Sequence, residues 1–204
     1  MLEFSSGLKS LTSVLRCVIG TKDNEPCVKV FLTEQNDQVQ DLIKKQGENL
    51  SLSDKTRYEF VNVYKDFEQL KKEAKEIKKK ENETPDIDKC LRSELEKFIE
   101  STTERMYAKY SNLVGIDISN FHSGNQKVTP CIVLYCLDKD LIPFGEEILP
   151  RSLYISTSDP PQTTEIPCDI REDIILFGSC DNCLGDTFNL GCNIGGPIYS
   201  GSLG

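Results

Sequence analysis

The feature that most restricts the fold is a series of apolar residues at Phe60, Val63, Phe67, Leu70, Ala74 and Ile77, spaced three and four apart. An α-helix completes a turn in ~3.6 residues, so these positions predict one apolar stripe along a helix. Ser53 and Asp54 offer side-chain oxygens suited to capping its first turn. The run KKEAKEIKKKENE, from Lys71 to Glu83, mixes both signs of charge and reads as a solvated face around the stripe. Asn82 to Pro85 interrupts the pattern, and Pro85 suits the start of a second helix with Ile87, Leu91, Leu95, Phe98, Thr102 and Met106 on one side. Two long helices joined by a short turn predict an antiparallel helical hairpin in which each buries its stripe on the other. The same spacing also allows a coiled coil with another chain.

Upstream, Phe4, Leu8, Leu11, Leu15 and Val18 repeat the spacing and predict a further amphipathic helix. Cys27 to Thr33 is short and β-branched, and Asp37 to Gln46 reads as helix. Residues 1–112 are therefore expected to form a helical bundle.

From Leu113 the texture changes. LVGIDIS alternates, HSGNQK is turn-like, and CIVLYC is an unbroken apolar run, the pattern of a central strand covered on both faces. IPFGEEILP and SDPPQTTE read as loops, IPCDIRE and DIILFG as strands. Residues 113–204 are expected to form a small mixed or antiparallel β-rich domain ending in a tail dense in Gly and Cys. Helices followed by strands in this way predict the α+β class with segregated parts.

Composition limits the function. Hydrophobic residues at 38% and charged residues at 28% suit a chain with a real core. The net charge of -9 argues against nucleic acid, whose affinity comes from Lys and Arg displacing counterions. No window approaches the ~18 apolar residues of a membrane span. No basic segment precedes the apolar stretch of MLEFSSGLKSLTSVLRCVIG, so no export signal is expected and the cytosol is the expected compartment. Nine cysteines, an odd number scattered through apolar runs, fit reduced thiols rather than a disulfide framework.

The candidates for chemistry are few. His122 is the single histidine, in the turn-like NFHSGN, and reads as an ordinary solvated residue. Ser200 and Ser202 would need such a base to act as nucleophiles and read as structural. Cys180 and Cys183, with Cys192 beyond and Cys168 upstream, form the one group with zinc-ligand spacing, because a CxxC turn presents two thiolates together. GCNIGGPIYSGSLG lacks the Lys and following helix of a phosphate-binding loop. The acidic pairs Glu146–Glu147 and Glu172–Asp173 sit in or beside loops, with nothing to set two carboxylates face to face. No catalytic residue and no cofactor is expected, zinc at the cysteine group being the exception weighed.

VGIDIS, TPCIVLYCLDKDLIPFGEEILP, IPCDIREDIILFG and GCNIGGPIYSGSLG together resemble the pre-domain and first barrel strands of divergent intracellular trypsin-like serine peptidases. The resemblance covers about residues 113–204. It implies a peptidase-like parent, but the family's catalytic His, Asp and Ser follow the SGSLG-like phrase, and none falls on a residue here. The resulting expectation is a non-catalytic regulatory or protein-interaction segment associated with such a protein. A helical hairpin or an exposed sheet edge would receive the protein partner. The alternatives are a piece of an active serine endopeptidase and a zinc-stabilised binding module.

Overall fold

Asp23 and Asn24 both take positive φ, 55° and 64°, which two short polar side chains tolerate and a two-residue hairpin turn requires. That turn joins β1 (Val14–Lys22) to β2 (Glu25–Leu32) in a ladder running from Lys22↔Glu25 to Val14↔Leu32. The expected helix through Leu15 and Val18 is thus a strand. Its three-and-four spacing competes with a long antiparallel ladder, and the ladder wins; Phe4, Leu8 and Leu11 lie outside the described residues. The computed structural model describes residues 13–49, 55–158 and 161–173, with a two-residue bridge pairing 193–194 and 201–202.

After β2 the chain enters α1 (Asp37–Asn49) and returns as β3 (Arg57–Asn62), parallel to β2. β2 is buried on both faces. Val28, Val30 and Leu32 pack on Ile43 of α1, while Cys27 and Phe31 on the opposite face meet Val63, Leu137 and Leu141. Phe60 therefore belongs to β3, where it packs beside Tyr58 and Val30.

β3 runs straight into α2 (Val63–Glu83) at Asn62, whose side chain accepts from the N–H groups of Tyr64 and Lys65 at 3.1 and 3.0 Å. Asp66 accepts the N–H of Asn62 in return, at 3.1 Å. α3 (Lys89–Lys109) starts at the cap Asp88, which accepts from Cys90 and Leu91.

The second sheet has the order β4–β5–β8–β7. β4 (Leu113–His122) pairs antiparallel with β5 (Lys127–Cys136), β5 runs parallel to β8 (Pro161–Glu172), and β7 (Ser152–Ser158) pairs antiparallel with β8. Ile132, Leu134 and Cys136 of β5 face Leu95 and Met106 of α3, whereas Cys131, Val133 and Tyr135 cluster on the other face. β6 (Ile142–Pro143) crosses to the first sheet and completes the order β3–β2–β1–β6. This crossing fixes Gly20, because a Cβ there would lie 2.0 Å from the carbonyl oxygen of Ile142.

The expected helical bundle and long hairpin are absent among the described residues, where strand exceeds helix, 41% to 36%, in two mixed sheets. α2 and α3 do not bury their stripes on each other. α3 covers one face of the second sheet, and α2 reaches its opposite face through Glu81 and joins the first sheet's cluster through Leu70. The α+β division into a helical front and a β-rich back fails because, among the described residues, strands precede the first helix and helices lie between strands. No helix among the described residues is long and apolar enough to cross a membrane.

Candidate functional site

Two alternating polar residues in the strand IPCDIRE build the first charged cluster. Asp169 and Arg171 project from the same face of β8, beside Val133 and Tyr135 of β5, and both are buried. The guanidinium of Arg171 donates through Nε to Asp169 at 2.8 Å, through Nη1 to Glu81 of α2 at 3.0 Å, and through Nη2 to the carbonyl of Phe121 at 2.9 Å. Ser119 Oγ lies 2.6 Å from Glu81 and 3.3 Å from Nη2. Asp169 also accepts from the N–H groups of Ser123 and Gly124 and from the Ser123 hydroxyl, at 2.7, 3.2 and 3.0 Å. The cluster thus ties α2, β4, β8 and the turn after β4 into one unit.

Burial pushes the Asp169 carboxyl up, but the Ser123 N–H and the charge of Arg171 outweigh it and hold the group below the ordinary aspartate range. Burial likewise disfavours the Arg171 cation, and Tyr135, Asp169 and Glu81 reverse that effect and raise its pKa. Both groups are charged at neutral pH, and both are occupied by structural partners.

His122 ends β4, with its side chain only 15% exposed and Nδ1 3.3 Å from Asp169 Oδ1 without an aligned hydrogen bond. The structure thus replaces the solvated loop histidine of the sequence reading with a largely buried one beside a carboxylate. An aspartate against a histidine is half of a hydrolytic triad. The nucleophile half is missing among the described residues nearby, because the hydroxyls of Ser119 and Ser123 are engaged with Glu81 and Asp169.

The second cluster joins the two sheets. Asp138, fully buried just after β5, receives Lys29 of β2 at 2.5 Å and Lys22 of β1 at 2.8 Å on one oxygen. Its other oxygen accepts the N–H groups of Asp140 and Leu141 at 2.8 and 3.0 Å. Lys22 reaches on to Glu59 of β3 at 3.1 Å. Burial raises the Asp138 carboxyl, and the two lysines more than reverse this, leaving it below the usual range. Lys22 is held above the ordinary lysine range by Asp138 and Glu59 against the opposing effect of its burial.

Asp138, Asp140 and Glu172 bring carboxylate oxygens within 4.8 Å of one another, a spacing compatible with a cation. Both oxygens of Asp138 are committed, two lysines already neutralise it, and Glu172 accepts the N–H of Lys139 at 3.2 Å. The group is therefore a braced turn.

The cysteine group divides. Cys180, Cys183 and Cys192 lie outside the described residues, as does Ser200; Ser202 belongs to the two-residue bridge, where it pairs with Asn193. Cys168 is buried in β8. Burial pushes the thiols of Cys17, Cys131, Cys136 and Cys168 up to about 12, so these sulfurs stay protonated at neutral pH and are poor nucleophiles and metal ligands. Glu146 and Glu147 bind the end of α3, Glu146 accepting the Ser111 N–H at 2.9 Å and Glu147 the Lys109 ammonium at 2.7 Å. Asp173 is buried beyond β8, and its N–H bonds the carbonyl of Cys136.

What sequence reading missed is the triple of Glu81, Asp169 and Arg171. A signal existed in Asp169-Ile170-Arg171, where two charges alternate with apolar residues in a strand that has to cover a core. Glu81 had no such mark within the charged run.

The other exposed resource is a sheet edge. β3, β4, β6 and β7 are the outer strands of the two four-stranded sheets, and three of these four are blunted. β6 has two residues, β4 has register breaks at Leu113/Gly115 and Ser119/Phe121, and β3 carries Arg57 and Glu59. β7, SLYISTS, is regular along its whole length, uncharged and free of Gly and Pro, and its Tyr154 is 64% exposed. No family model, curated protein or solved structure matches the chain.

Proposed function

We propose that this chain is a non-catalytic protein-interaction segment that receives an extended partner strand at the free edge of β7. With the expected helical hairpin gone, the sheet edge is the remaining contact surface of that reading. The observation that carries it is the unblunted edge of β7, where the other outer strands of the two four-stranded sheets among the described residues are short, bulged or charged. The commitment of Asp169, Arg171, Asp138, Ser119 and Ser123 to structural bonds supports a contact role over a catalytic one. An association with a trypsin-like peptidase rests on the resemblance of residues 113–204.

The test is a photo-cross-linking amino acid at position 154, with a second at Tyr107 of α3 as the exposed control. A discrete adduct from position 154, absent from position 107 and lost with Ser156→Pro, supports the reading; no adduct at position 154 defeats it. Cleavage of a peptide by the purified chain, abolished by His122→Ala, would equally defeat it.

A further inference from the structure

We infer that the solvent-facing side of α2 is a second contact surface, a line of lysines that receives an acidic segment of a protein partner. It goes beyond the strand-receiving edge and stands independently of it. Lys71, Lys72, Lys75, Lys78 and Lys79 crowd one stretch of the helix. Successive helical residues are about 100° apart, so the five occupy a single arc of about 120° and a length of about 12 Å. Lys72, Lys75, Lys78 and Lys79 are exposed.

The helix keeps its carboxylates out of that arc. Glu81 turns to Arg171 and Ser119 of the second sheet, and Glu73 borders the cleft that Leu70 and Ile77 share with Lys139. Glu76 falls about 40° outside the arc. Lys75 thus has Lys71, Lys72, Lys78 and Lys79 three and four positions away, all of like charge, an arrangement that opposes the helix holding it. Among the described residues Lys72, Lys75 and Lys78 form no ion pair, and Lys79 reaches Glu83 of its own helix at 4.0 Å, with both groups exposed. A repulsion that the fold leaves standing is relieved by negative charge from outside.

Charge also selects the kind of partner. The chain as a whole carries -9, so a long polyanion or an anionic membrane is repelled by most of the surface it approaches. The strip is one helix face wide, with the exposed Glu68 at its start and the exposed Glu76 and Glu83 along one side. A flat anionic surface meets those glutamates, whereas a narrow polypeptide carrying Asp or Glu covers the lysines between them. At ~0.15 M salt the screening length is ~8 Å, so such a segment feels the strip beneath it and little of the distant negative surface.

The test is fluorescence anisotropy of a labelled glutamate peptide of about twelve residues, long enough to span the strip, titrated with the purified chain to about 1 mM in ~0.15 M salt. The expected result is saturable binding. Lys72→Gln, Lys75→Gln and Lys78→Gln together weaken it about tenfold, the size expected for the loss of three exposed ion pairs. Arginine at the same three positions keeps it, since the charge stays. Lys89→Gln, Lys97→Gln and Lys127→Gln together remove equal charge at exposed positions elsewhere and shift it less than about twofold. Glutamine and arginine match lysine in helix propensity, and circular dichroism establishes that each variant is folded. No binding to the peptide, or equal losses from the two triple glutamine variants, overturns the inference. Where the peptide does not bind, uptake by phosphatidylserine-containing vesicles or self-association of the chain, lost with the α2 glutamine variant, overturns it in favour of a membrane or a second copy. The cross-link at position 154 tests the β7 edge separately, so the two readings fail by different measurements.

Discussion

The two buried ionic clusters have opposite polarity. In one, the single carboxylate of Asp138 sits between Lys22 and Lys29; in the other, the single guanidinium of Arg171 sits between Asp169 and Glu81. The first links the two sheets, since its lysines come from β1 and β2 and its aspartate follows β5. The second fastens a helix and a turn to one sheet. Asp138 is the only described contact of Lys29's ammonium with a carboxylate, whereas Asp169 keeps three donors from Ser123 and Gly124 when Arg171 is removed. A buried ion whose counter-ion has no substitute is the more fragile arrangement, because the stranded charge has to be accommodated without water.

The comparison is sharpest in the largest effect. Asp138→Ala leaves Lys29 buried and unpaired and loosens the Asp140 and Leu141 turn. The expected loss is about 3–5 kcal/mol in urea unfolding. Equality with Arg171→Met would break the asymmetry.

Arg171→Met keeps much of the side-chain volume and leaves Asp169 its turn donors. A loss of about 2–3 kcal/mol is expected, with faster amide exchange at Ser123 and Gly124.

Acid probes both clusters together. Asp138 and Asp169 have folded-state pKa values below their unfolded ones. Their contribution is therefore fully present above the unfolded aspartate value of ~3.9 and is lost as pH falls below it. The melting temperature should be level near pH 6 and fall below about pH 4, and Asp138→Asn and Asp169→Asn should each flatten that fall.

Glu81→Gln is the smallest change, about 0.5–1 kcal/mol. The amide oxygen can still accept from Arg171 and Ser119, and Glu81 retains some contact with solvent. A loss as large as that of Arg171→Met would mean that the helix-to-sheet contact depends on full charge.

Local texture announced some of this architecture. The apolar run Cys131–Cys136 is the doubly covered central strand it resembled, α1 lies where Asp37 begins a helical pattern, and α3 buries Leu95, Thr102 and Met106 from its expected stripe. The failures share a cause. Val14–Lys22 and Arg57–Asn62 are strands because each has a partner, β2, distant from the local window used to judge periodicity. The Phe60–Ile77 series spans a strand end and a helix, joined at Asn62 without a loop, so one spacing ran through two structures.

The candidate site shows the same division more strongly. Asp169 and Arg171 were visible as charges in an apolar strand, yet Glu81 lies ninety positions from Arg171 and Lys29 lies 109 from Asp138. His122 looked solvated because its neighbours in sequence are polar. In the fold it is largely buried, with Asp169 of β8 beside it.

The sequence by itself determined that several segments had apolar faces to hide, that the stretch from Ser152 to Ser158 carried no charge, and that one imidazole was present. Only the tertiary structure decided what each face was hidden against, which charges met, and which edge stayed open. The reason is physical: periodicity reports that a surface will leave water, but the choice of the surface that replaces the water depends on chain segments brought together only by folding.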